Sequence, residues 1–138
     1  MVNKDPDKKL MVCVPILIEW SRIQDLLCCA LEGGSNYWYM IEEFHEPTSM
    51  PIRTDEREVF KHLDYPVNPG GSLVFSDLEE GHKKKERFTL NRQSIEKGLT
   101  IMADKYPRHF ADFQAENDDA ITGDVFLQCC LFGEACYG

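Results

Sequence analysis

No stretch of this 138-residue chain reaches the roughly 18 consecutive apolar residues that span a bilayer as a helix. Positive charge is scarce: 15 Lys and Arg stand against 24 Asp and Glu, a formal net charge of −9. That balance argues against extended nucleic acid as a partner, because phosphate binding is driven by Lys and Arg. It argues equally against an anionic membrane surface. Metal-ligand spacing is missing: no Cys-x-x-Cys or His-x-x-x-His occurs, so neither a metal nor a cofactor is expected. No serine sits in Gly-x-Ser-x-Gly, and no pattern fills the roles of an active site. The expectation is a protein that is not an enzyme.

What is present describes a folded globule. Hydrophobic residues make up 43% of the chain and aromatics 11%, which argues against disorder. The length suits one domain, with residues 1–9 a flexible N-terminus and 10–138 the domain. Six cysteines occur: Cys13, Cys28, Cys29, Cys129, Cys130 and Cys136. An even count invites disulfides. Two of the pairs are vicinal, however, and all six lie in apolar sequence, where free cysteine acts as a small buried hydrophobe. No secretory signal pattern precedes them. Reduced thiols in a cytoplasmic compartment are therefore expected.

The pattern along the chain predicts an α+β fold, a small mostly antiparallel sheet of about four strands with two to three helices on one face. Leu10–Ile18 is rich in β-branched residues and reads as a strand, with Pro15 marking an edge or a bulge. Ser21–Glu32 reads as a helix opened by a Ser21/Gln24 capping box and closed by left-handed glycine at Gly33–Gly34. Asn36–Phe44 is a second strand. Residues 45–71 lose periodicity, and a connector of that length is functional or mobile. Ser72–Ser76 and Glu86–Leu90 form a hairpin with a solvated tip. Asn91 caps a helix to about Lys105, with Leu90 and Ile95 as a hydrophobic staple and Pro107 as its stop. A short helix over His109–Ala115 is a further possibility. Thr122–Phe132 is apolar nearly all round, hence central or covered by a partner. The second alternative, with the apolar tail Ala135–Tyr137, leads to an expected homo-oligomer.

Sorting charge by position finds a basic zone inside the acidic chain. Residues 83–108 carry eight basic and three acidic residues, a local +5, whereas the last thirty residues have no Lys or Arg at all. Two places hold the parts of an anion site. One is Arg87, Phe88, Asn91 and Arg92, where guanidinium groups, an aromatic face and the amides of a helix N-terminus come together. The other is Trp20 and Arg22 at the start of the first helix, with an indole face for stacking. The bland alternative is a solvated hairpin tip with helix-surface ion pairs, and a Trp that merely packs. The acidic run Glu116, Asp118, Asp119, Asp124 lacks the register of a calcium loop and reads as a solvated loop that caps a helix.

Three segments carry a resemblance: residues 31–39 (LEGGSNYWY), 94–113 (SIEKGLTIMADKYPRHFADF) and 120–138 (AITGDVFLQCCLFGEACYG). In these the chain resembles a family of small phage and prophage proteins of mostly unassigned activity. The element order is also similar to that of phage anti-Thoeris proteins, which sequester cyclic ADP-ribose signals. The resemblance implies a counter-defence protein in the host bacterial cytosol. It would capture a small anionic nucleotide, a cyclic ADP-ribose isomer or a cyclic oligonucleotide, without cleaving it. The alternatives are an acidic, DNA-mimicking inhibitor of a host defence protein, and an enzyme that cleaves the nucleotide signal. A likeness of fold raises an expectation and assigns no residue.

Overall fold

Trp38, Phe75, Phe126 and Met102 are fully buried together, and one apolar cluster around them gathers residues from α1, the sheet, α3, α4 and α5. The elements around this core come from a computed structural model, which describes residues 8–34, 37–52, 58–78 and 86–137. They run α1 (Trp20–Cys29), β1 (Tyr39–His45), α2 (Lys61–Asp64), β2 (Ser72–Asp77), β3 (Arg87–Leu90), α3 (Arg92–Lys105), α4 (Pro107–Gln114) and α5 (Ala120–Phe132). The class is α+β, with one antiparallel sheet in the order β1-β2-β3. Leu73 and Phe75 of β2 and Leu90 of β3 point into the core at period two. The opposite face carries polar pairs, Ser76 with Glu42 and Arg87 with Glu43. A bulge between Ile41 and Glu43 shifts the register of β1.

The sheet has three strands rather than four among the described residues, and five helices rather than two or three. The missing strand is Leu10–Ile18. Its β-branched sequence is as expected, but no described strand pairs with it, and it lies as an exposed, irregular segment. Strand propensity describes fitness for a pleated surface and supplies no partner. Beyond the three long helices stand α2 and α4, and α4 overlaps the short helix read at His109–Ala115. Pro107, which ends α3, is also the first residue of α4, where its fixed φ suits helix and its missing N–H costs nothing.

Helix α1 starts two residues earlier than the capping box predicts. Glu19 is the N-cap and makes no side-chain cap bond. Gln24, expected to close that box, is buried instead and donates to Asp64 Oδ1 at 2.9 Å, tying α1 to α2. Gly33 and Gly34 do not end the helix in left-handed geometry: α1 continues as a π-helical turn over Ala30–Gly34. The cap of α3 is as expected, with Asn91 and Ser94 bonding each other's backbone amides, and Leu90 and Ile95 buried beside it. Gly133 closes α5 at φ 82°.

Helix α5 is central, which settles the choice its sequence leaves open. It packs against α3, α1 and the π-helical turn, and Phe126 through Cys130 are all buried in its own chain. Two glycines permit this closeness. A Cβ on Gly98 would sit 2.8 Å from the Cys130 Cα, and one on Gly123 would sit 2.6 Å from the Ala30 nitrogen. The tail is pinned as well, since Gln128 Oε1 accepts from the Cys136 and Tyr137 amides at 2.7 and 2.8 Å. The apolar surface assigned to a partner is thus filled from within the same chain. The described part of the long connector is tied down in the same manner. Buried Asn68 donates to the carbonyls of Ile52 and Asp64 and accepts from the Ile52 amide. No helix among the described residues is long and apolar enough to cross a membrane.

Candidate functional site

The two sequence-predicted anion sites become one corner and three separate structural contacts. Trp20 opens α1 and Arg92 opens α3, and the fold brings these residues, 72 positions apart, into contact. The Arg92 guanidinium carbon lies 4.7 Å from the centre of the Trp20 ring. Its Nε donates to the Val67 carbonyl at 2.8 Å, which fixes the plane of the group. No carboxylate of a described residue lies within ion-pair distance of Arg92. Asn91 contributes through the capping box, which orients the first turn of α3 at this corner.

Arg22 is elsewhere and is consumed. Its Nη2 donates to Asp118 Oδ1 and to the Phe113 carbonyl, each at 2.8 Å, and its Nη1 donates to Asp25 Oδ2 at 3.0 Å. Its guanidinium also covers the Phe113 ring at 4.8 Å. Burial works against its charge, but the bonds to Asp118 and Asp25 outweigh burial and hold it above the ordinary arginine range. Arg22 is therefore a clamp between α1 and the α4–α5 turn. Arg87 pairs with Glu43 across the solvent face of the sheet. Hydrogen bonds from His45 and from Arg87 keep the Glu43 carboxyl below its usual range. Phe88 packs edge-on against Phe132, centroids 4.8 Å apart, and so serves the α5–sheet contact. The basic residues Lys83–Lys85 lie outside the described residues.

Beside the Trp20–Arg92 corner runs an apolar groove of about 380 Å³. Val14, Ile16 and Ile18 form one wall; Trp20, Ile23, Leu99 and Phe110 form the others. Its polar lining includes Glu96 and Thr100 of α3. The volume falls in the range of small-molecule sites. Sequence reasoning finds Trp20 and Arg92 singly but not their pairing, because nothing local links the starts of two helices.

A second cavity of about 470 Å³ opens between β1 and the end of α1, lined by Leu31, Tyr39, Ile41, Phe44 and Phe60. Glu32 and His62, 2.7 Å apart, stand at it. The His62 hydrogen bond, opposed by slight burial, keeps the Glu32 carboxyl below its ordinary range. No sequence signal marks this pair, which is separated by 30 residues.

Cys28, Cys29, Cys129 and Cys130 are not activated nucleophiles. Burial raises Cys28 and Cys29, pushes Cys129 up to about 12, and puts Cys130 well above the ordinary range. All six are free thiols, but only Cys129 and Cys130 are core residues. Cys13 and Cys136 are exposed, against the expectation that every cysteine is buried. The acidic run builds structure. Asp118 holds Arg22, Asp119 caps α5 through the Thr122 amide at 3.0 Å, and Asp124 is buried. No group of three His, Cys, Asp or Glu among the described residues is placed to hold a metal. Comparison of the chain with protein-family models, with curated proteins and with solved structures finds no match in any of the three.

Proposed function

We propose that the protein acts by binding, capturing a small anionic nucleotide at the Trp20–Arg92 corner without chemistry on it. One observation carries the reading: of the three arginines at the predicted sites, Arg92 alone is both held in place and not neutralised by a described carboxylate. Stacking on indole and the Val67 carbonyl preorganise it, so little side-chain entropy is lost when it meets a phosphate. The amides at the start of α3 add partial positive charge at the same corner. The apolar groove beside Trp20 suits a base or ribose. Glu96 on its wall repels phosphate, which orients the anionic end towards Arg92. The resemblance to small phage proteins supports a cyclic ADP-ribose isomer or cyclic oligonucleotide as ligand, and counter-defence in a bacterial cytosol as the role.

The acidic-inhibitor alternative is weakened by the ion pair of Asp118 with Arg22 and by the cap bond that exposed Asp119 accepts from the Thr122 amide. The test is thermal unfolding of the full chain against a panel of such nucleotides. A ligand at 100 times its Kd stabilises by about 2.7 kcal/mol, a shift of several degrees. At the same ligand concentration Arg92→Ala cuts that stabilisation to about 1.4 kcal/mol or less. A panel that moves nothing, or a shift that Arg92→Ala leaves undiminished, overturns the reading.

A further inference from the structure

The segment Leu10–Leu17 is an apolar strand sequence without a strand to pair with. Leu10 is 87% exposed, Val12 66% and Leu17 98%, and Met11, Val14 and Ile16 are exposed beside them. Six such side chains amount to on the order of 800 Å², the share of one partner in a standard interface. A run of this kind does not stay solvated without a cover.

The same chain carries a matching gap. Among the described residues β1 pairs with β2 alone, so its other edge presents unpaired backbone groups. Exposed Met40 and Phe44 flank that edge. β1 spans seven residues, Tyr39–His45, and the orphan segment spans eight. We propose that Leu10–Leu17 of one copy adds as an antiparallel fourth strand to the β1 edge of a second copy of this chain.

Charge selects the direction. Lys8 and Lys9 immediately precede the segment, which itself carries no charged residue, and exposed Glu46 immediately follows β1. Antiparallel addition sets the two lysines beside Glu46; parallel addition does not. Pro15 is tolerated, because an added edge strand needs no donor on its outer side. Geometry selects a second copy over self-pairing. In its own chain the segment lies at the Trp20 end of α1, where Val14, Ile16 and Ile18 line the groove. The β1 edge borders Leu31 and Glu32, about 16 Å further along the helix. Reciprocal exchange closes a two-fold dimer and buries the segment twice.

Sedimentation equilibrium of the full chain, with Val12→Lys and Met40→Lys, tests this. Both positions are exposed and neither lines the groove, and sedimentation reads the oligomeric state without nucleotide, so the two proposals fail separately. A dimer that each substitution converts to monomer, with unchanged circular dichroism, is the expected result. A native chain that is monomeric at 100 µM overturns the proposal, as does a dimer that survives either substitution. Zero-length cross-linking of mixed heavy- and light-labelled native chains gives a second reading that depends on no variant. An intermolecular bond from Lys8 or Lys9 to Glu46 is expected, and bonds within single chains only contradict it.

Discussion

Asp124 shows how one residue can hold two layers of this fold together. It is buried in α5, and its oxygens accept from Trp38 Nε1 at 2.7 Å, Tyr37 Oη at 3.0 Å and Gln128 Nε2 at 3.1 Å. Removing the carboxylate leaves the buried Trp38 indole N–H without its acceptor and takes one of two acceptors from the Gln128 amide, which keeps the Tyr137 carbonyl; a buried donor left unpaired costs about 1–3 kcal/mol. Asp124→Ala is expected to lower stability by roughly 3 kcal/mol in urea unfolding, and Asp124→Asn, which keeps one acceptor oxygen, by less. Cys129 gives a pH prediction whose sign is set by burial. Its folded pKa, about 12, lies above the ordinary thiol value, so the unfolded chain gives up its proton first as pH rises. The stability it contributes is fully present below pH 9 and is lost progressively towards pH 12. Cys129→Ala should flatten that alkaline decline in melting temperature. In the native state a thiol reagent should modify exposed Cys136, and Cys129 and Cys130 only on unfolding.

Elements whose signals are local are legible in the sequence. α3 is bounded by its own residues: the Asn91–Ser94 box, the Leu90–Ile95 staple and Pro107. Its limits come out nearly as expected. Leu10–Ile18 fails because a strand is defined by a neighbour that propensity does not name. Gly33–Gly34 fails because the π-helical turn follows the close approach of α5, and that is a tertiary fact. The candidate site divides the same way. Trp20, Asn91 and Arg92 are marked by helix starts, whereas the pairing of Trp20 with Arg92 depends on the fold bringing the starts of α1 and α3 together. Arg22, Arg87 and Phe88 carry the right chemistry, but the partners that occupy them lie 96, 44 and 44 residues away in sequence. Gly98 tests the packing that creates these pairings. A Cβ there meets Cys130 Sγ at 2.3 Å and Cα at 2.8 Å, and the second contact is backbone that cannot rotate away. Gly98→Ala should destabilise by about 1–3 kcal/mol through forced separation of α3 and α5, despite alanine's better helix propensity. A neutral or stabilising result in chemical denaturation contradicts the close crossing.

The net charge of −9 looks at first like a bar to anionic ligands, and the fold changes its meaning. Four of the acidic residues are already committed: Asp118 to Arg22, Asp119 to a helix cap, Asp124 to the core, Glu43 to Arg87. The remaining field still repels a long polyanion, but one preorganised arginine beside an apolar groove is enough for a small one. Its binding should weaken only modestly with added salt, because few phosphates are contacted. The most direct measurement is calorimetric titration of the native chain with cyclic ADP-ribose isomers and cyclic oligonucleotides, repeated with Trp20→Ala and Arg92→Ala. Saturable binding of one of these ligands is expected, weakened about 10- to 100-fold by Arg92→Ala, as loss of a charge-assisted contact requires. Heats that never saturate with any of them, or equal affinity in native chain and Arg92→Ala, would contradict it.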